Sequence, residues 1–117
     1  MLDLSLGKAG EIVAEKYLVA QKFNIVECNY RCPLGEIDLV ARQREVLYFI
    51  EVKTRTSLIF GQPAEAVTSK KQHKLHQLAL YYTATHKYSG PVAFGVVEVL
   101  YNQWQRHYQV NFIPHAF

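Results

Sequence analysis

Three residues in a short span carry side chains that chemistry can use: Asp38 within "GEIDLV", and Glu51 and Lys53 within "LYFIEVKTR". Both stretches are apolar enough to be strands, yet acids sit inside them. Side chains alternate along a strand, so Glu51, Lys53 and Arg55 share a face with Leu47 and Phe49. On the preceding strand Glu36, Asp38 and Val40 share a face by the same rule. A hairpin closed symmetrically about Arg44 and Glu45 places Asp38 directly opposite Glu51, with Cα atoms about 4.5–5.5 Å apart. An odd-length loop would shift that register by one, and the loop lacks the Gly or Asn that a tight two-residue turn prefers. Like charges about 4 Å apart repel by roughly 4 kcal/mol at an effective dielectric near 20. Lys53 can neutralise one unit, whereas a divalent cation neutralises both. Magnesium suits such a pair, being hard, oxygen-seeking and apt to keep waters and a phosphate as its other ligands. The plainer reading is a solvated polar face with an i, i+2 ion pair worth about 0–1 kcal/mol, and on spacing alone it stands ahead.

The elements that must position these residues are legible in outline. Leu6 to about Lys22 has helical spacing at Gly10, Val13, Ala14, Tyr17 and Leu18, with Ser5 as N-cap. "FNIVECNYR" is a first strand, "CPLG" a turn, and Glu36–Arg42 and Val46–Arg55 the next two strands. "SLIFGQPAEA" reads as a loop, punctuated by Gly61 and Pro63. A second helix is expected from about Val67 to His86, with Val67, Leu75, Leu78, Ala79 and Tyr82 on one face. "GPVAFGVVEVL" is apolar enough to be a strand covered on both sides. "WQRHYQVNF" alternates, with Trp104, Tyr108, Val110 and Phe112 facing one way, as in a half-exposed strand. The order α-βββ-α-ββ predicts an α/β fold, a central mixed sheet flanked by helices, in one domain spanning 1–117.

Composition narrows the classes further. The chain has 117 residues, enough for one domain that buries roughly 60–70% of its unfolded surface. No apolar run approaches the ~20 residues of a membrane span, and "MLDLSLGKAGE" is not a signal peptide. Cys28 and Cys32 are too few for a disulfide framework and read as reduced thiols of a cytoplasmic protein. Residues 1–65 hold eight Lys/Arg against nine Asp/Glu. Residues 66–117 hold five Lys/Arg, all five histidines and a single acid, Glu98. Acids concentrated in one half and bases in the other suggest a local cation site and an anionic partner.

Asp, a hairpin and then Glu-x-Lys resembles the PD-(D/E)-x-K phosphodiesterase superfamily, which has the restriction-endonuclease-like fold. The joined set "GKAGEIVAEKYL", "NYRCPLGEIDLVA", "LYFIEVKTR", "FGQPAEAVTSKKQHKL" and a closing "PHAF" resembles, over nearly the whole chain, the YraN-like family of small bacterial proteins. The resemblance implies a chain close to full length and a core similar to archaeal-type Holliday-junction resolvases. Carried over by residue, it makes Asp38 and Glu51 metal ligands, with Glu11 of the first helix the acid placed near the metal. Lys53 would position the attacking water or stabilise charge developing on the phosphate. The implied cofactor is Mg, with Mn as a substitute. The implied activity is in-line hydrolysis of a DNA phosphodiester, DNA being favoured over RNA. One departure is Gly95, which stands where relatives often carry an acid.

Other signals are weaker. Arg55, Lys70, Lys71 and Lys74 are candidate nucleic-acid contacts, and Lys71 lies on the row joining Val67 to Leu75, aimed toward the sheet. Against them stands a solvated helix face. Glu36 reads as a surface acid at a strand start. Gly7 and Gly10 read as close-packing positions rather than a phosphate cradle. His73 and His76 lack a third zinc ligand. Tyr30, Tyr81 and Tyr82 are expected to pack rather than to stack on bases. Three functions compete: a magnesium-dependent endonuclease, a non-catalytic nucleic-acid-binding module, and a scaffold that pairs through an exposed last strand. Junction cutting needs two active sites, which makes a homodimer a candidate assembly.

Overall fold

Ser5 starts the first helix as its spacing predicts, its hydroxyl accepting from the Lys8 N–H at 3.2 Å. The computed structural model describes residues 5–56 and 68–117. Helix α1 spans Leu6–Ala20 and ends where Lys22 turns into the left-handed region at φ 72°, slightly before the expected end. Strands β1 (Asn24–Cys32), β2 (Gly35–Gln43) and β3 (Val46–Thr56) follow as an antiparallel meander. Helix α2 (Ser69–Thr85) is capped by Thr68, whose hydroxyl accepts from the Lys71 N–H. Its expected start at Val67, and the loop read in "SLIFGQPAEA", lie outside the described residues. Strand β4 (Val92–Asn102) then runs parallel to β3, and β5 (His107–Ile113) closes the sheet antiparallel to β4.

The five strands lie in the order β1-β2-β3-β4-β5. This is the α/β fold with order α-βββ-α-ββ expected above. Each face buries its own core. Ala14 and Leu18 of α1 pack with Leu39, Ala41, Tyr48, Ile50, Val97 and Val99. Leu75, Leu78, Ala79 and Tyr82 of α2 pack with Ile37, Val40, Leu47 and Phe49 on the other side. Gly10 lets α1 approach β3, since a Cβ there would lie 2.8 Å from Thr54 Cβ. Gly7 has open space around it. A Cβ on Gly95 would meet Ile113 O at 3.2 Å and Phe112 Cε1 at 3.1 Å, so β5 leaves little room for a side chain there.

The β2–β3 hairpin closes through two residues, Arg44 and Glu45, with Gln43 paired to Val46. Arg44 takes the left-handed conformation (φ 55°) that glycine or asparagine was expected to supply. The last strand is half-buried in alternation at Tyr108, Val110 and Phe112 and lies at a sheet edge. Trp104 does not join that row. It sits in the turn before β5 and is 79% exposed, because the strand begins only at His107. Among the described residues no helix is long and apolar enough to cross a membrane.

Candidate functional site

Asp38 stands where two strands part. The β2–β3 ladder runs from Gln43↔Val46 to Leu39↔Ile50, the register expected for a hairpin closed about Arg44 and Glu45. It stops one step short of the acids, so Asp38 and Glu51 are not a ladder pair. In place of a backbone carbonyl, Asp38 Oδ2 accepts the Val52 N–H at 2.8 Å. A side chain that substitutes for a ladder bond is held firmly, because an unpaired amide there would cost about 1–3 kcal/mol.

A change at the same level is seen in β1. The β1–β2 ladder pairs Cys28 with Leu39 and Tyr30 with Ile37, passing over Asn29 and Asp38. Leu39 packs on the α1 side and Ile37 on the α2 side, although residues two apart normally share a face. Cys28 likewise meets Glu15 of α1, while Tyr30 packs toward α2. The register is the same on either side of Asn29, the bulge of this ladder lying between Ile25 and Glu27. Both strands change face together where Asn29 takes φ 53°, a conformation that Asn tolerates better than most residues. The β2–β3 ladder ends at the same level, one residue from Asp38.

Burial raises the Asp38 pKa from 3.8 to about 6, with the charges of Glu11, Glu51 and Glu36 adding to the rise and the Val52 N–H opposing it. A cavity of about 200 Å³ opens beside it, walled by Glu36, Asp38 and Glu51 on the sheet and by Lys71 and Lys74 on α2. Ile37, Ile50, Leu75 and Leu78 form its apolar floor. Acids thus face ammonium groups across a half-apolar cleft, where charge interactions are stronger than in open water. Lys71 and Lys74 line the cavity from exposed positions on α2. Lys70 is exposed and does not line this cavity. Lys53 and Arg55 continue along β3 on the Glu51 face by strand alternation, both half-buried, with Lys53 paired to Glu98 of β4.

Glu11 belongs to a second group behind the acids. Lys8 Nζ lies 3.5 Å from Glu11 Oε1. With its amide nitrogen turned to the carboxylates, the orientation that matches donors to acceptors, Asn29 donates to Glu11 Oε1 at 3.2 Å and to Glu36 Oε1 at 2.9 Å. Its oxygen then accepts from Lys8 Nζ at 2.9 Å. Glu36 also pairs with Arg31 at 3.6 Å, so it is tied into the site from two sides. Reading the sequence singled out neither Lys8 nor Asn29. A signal existed for Lys8, a cation in the first turn of a helix, where the dipole disfavours it.

The donor set fits a hard divalent ion. Asp38 and Glu51 offer carboxylate oxygens, and Asp38 is desolvated, with one backbone N–H and, among the described residues, no ion-pair partner of its own. Among the described residues no three Asp, Glu, His or Cys side chains converge on one point. The protein would therefore supply two carboxylates and leave the remaining positions to water and phosphate, the usual habit of magnesium.

Other residues take structural places. Tyr30 packs edge-on against Tyr82 at 5.0 Å, and His76 stacks on Phe94 at 4.2 Å. Cys28 and Cys32 are free thiols, and burial together with Glu15 raises the Cys28 pKa.

Comparison with known proteins agrees with the motifs. The model of uncharacterised protein family UPF0102 matches residues 10–99. A UPF0102 protein of Clostridium botulinum is 40% identical over 114 residues, covering 96% of this chain and 93% of its own. One from Moorella thermoacetica is 44% identical over 112 residues, covering 95% and 93%. One from Beutenbergia cavernae is 50% identical over 97 residues, covering 82% of each.

Proposed function

The chain belongs to the uncharacterised protein family UPF0102, and from that membership and the geometry at Asp38 we propose that it is a magnesium-dependent phosphodiesterase acting on DNA. The single observation that carries the reading is the desolvated carboxylate of Asp38, beside Glu51 and across a cleft from Lys71 and Lys74. Asp38 is half-buried and its pKa is raised to about 6, so its charged form carries a cost that a bound cation would offset.

Asp38 and Glu51 would hold Mg, or Mn in its place. When bound, the ion supplies Lewis acidity toward a phosphoryl oxygen and toward water. Lys53 orients the attacking water on the Glu51 face or meets the charge that develops on the phosphate, and Arg55 extends the same row of cations. Lys71 and Lys74 receive flanking backbone phosphates, each a charge-assisted contact without base preference. Lys70, exposed at the start of α2, contributes at most to the outer field. Glu11 is the third acid of the set, and it can join the cation only by giving up Lys8 and Asn29.

The test is cleavage of a labelled four-way junction, matched duplex and single strand, with magnesium, manganese or EDTA. Wild type is run beside Asp38→Ala and Lys53→Ala. Metal-dependent cutting lost in both variants supports the reading and ranks the substrates. Binding without cutting in any metal, unchanged in the variants, overturns it in favour of a nucleic-acid-binding module. The absence of a three-ligand group among the described residues gives that module its footing.

A further inference from the structure

The site carries a second cation of its own. We propose that the Lys8 ammonium takes the place a second divalent ion would occupy, between Glu11 and the Asn29 amide oxygen, so that the native protein holds one divalent ion per chain. The inference rests on the cation reading of Asp38 and Glu51 and adds the stoichiometry of that site.

Four observations carry it. Lys8 is the third residue of α1 after the Ser5 cap, within the first turn, where the helix dipole disfavours a cation and no acid is present. The i, i+3 pairing with Glu11 offsets part of that cost within the helix, and the contact with Asn29 lies outside it. Its Nζ lies 2.9 Å from the Asn29 oxygen and 3.5 Å from Glu11 Oε1, so it shares a carboxylate and an amide oxygen as a small cation would. The Asn29 nitrogen simultaneously binds Glu11 and Glu36, which fixes both acids around the ammonium. Finally, the backbone that aims Lys8 is pinned at its own amide by Ser5 Oγ at 3.2 Å.

The tether decides the competition. An ammonium on a four-carbon stem faces its carboxylate at an effective concentration of roughly millimolar or more, as linked partners do. A free divalent ion must shed water to displace it, and magnesium dehydrates reluctantly. Glu11 is consequently held by Lys8 and Asn29 in the native chain, rather than acting as a ligand.

Manganese binding, counted by electron paramagnetic resonance and by calorimetry without nucleic acid, tests this. Wild type is compared with Lys8→Met, which keeps the stem and removes the charge, with Lys8→Arg, and with Lys8→Met combined with Glu11→Gln. The expected result is one ion for wild type and Lys8→Arg, two for Lys8→Met, and one again for the double variant. Equal counts in wild type and Lys8→Met overturn the proposal, as do two ions in wild type. A wild type that binds none while Lys8→Met binds one Glu11-dependent ion supports the Lys8 role and removes the Asp38–Glu51 site instead. Lys8 is half-exposed, so its replacement leaves the core intact, and circular dichroism checks this.

Discussion

The Asp38 carboxylate accepts the Val52 N–H at 2.8 Å one step beyond the last β2–β3 ladder pair. One oxygen thereby completes the sheet while the other stays available at the cavity that Glu51 and Lys71 also line. The same side chain is a structural splice and a candidate ligand, and the two roles can be separated by experiment.

Asp38→Asn keeps an acceptor for Val52 and removes the charge. The folded pKa of Asp38, about 6, lies above its ordinary 3.8. Its stabilising contribution is therefore full below about pH 4 and is lost as pH rises through 6, at most on the order of 2–3 kcal/mol. Urea unfolding at pH 4.5 and 7.5 should show a smaller pH penalty in the Asp38→Asn variant than in wild type. Equal penalties would mean that the buried carboxylate is not the cause.

Magnesium should reverse that penalty in wild type alone. At a hundredfold excess over its dissociation constant, a ligand specific to the folded state adds about 2.7 kcal/mol. The thermal midpoint at pH 7.5 is expected to rise with magnesium for wild type and to stay flat for Asp38→Asn. A parallel rise in both would place the ion elsewhere.

Lys53→Met should separate chemistry from binding. Cleavage is expected to fall by about 10²-fold or more, the usual worth of a positioned proton-handling or charge-stabilising group. Manganese affinity should change little. Loss of the ion together with activity would show that Lys53 supports the site's structure instead.

Lys71→Ala and Lys74→Ala should each lower DNA affinity without changing sequence preference. Each should reduce the slope of log affinity against log salt by roughly one phosphate contact. Lys70→Ala, outside the cavity, serves as the comparison and should change the slope less.

Gly10→Ala tests how closely α1 must sit on β3. The new Cβ would overlap the Thr54 side chain, whose branched Cβ lies 2.8 Å away. A loss of about 1–3 kcal/mol is expected from overpacking. Thr54→Gly in the same chain should recover part of it.

Much of this architecture could be read from residue order. Apolar spacing located both helices and all five strands, and hairpin symmetry gave the Leu39↔Ile50 register. What escaped was the change of face at Asn29 and Asp38, because alternation assumes an unbroken pleat and Asn29 takes a left-handed conformation. Asn29 and Lys8 escaped for a related reason. Asn29 meets Glu11 and Glu36 from another element, and although Lys8 and Glu11 are i, i+3 on one helix, their link to Asn29 exists only in the fold. Trp104 continued the alternating pattern into a turn, where pattern alone cannot mark the end of a strand.

Because the strands lie across the sheet in the order the chain makes them, its two charged walls are written in separate stretches of the molecule. Every carboxylate of the cavity, with Lys8, Asn29 and Lys53, falls between residues 8 and 53, whereas Lys71 and Lys74 arrive on α2. On the function proposed above, reaction and grip would be separable inheritances. A graft that replaces Lys71 and Lys74 while sparing Leu75, Leu78, Ala79 and Tyr82 should then alter which polyanion binds and leave the carboxylates in place.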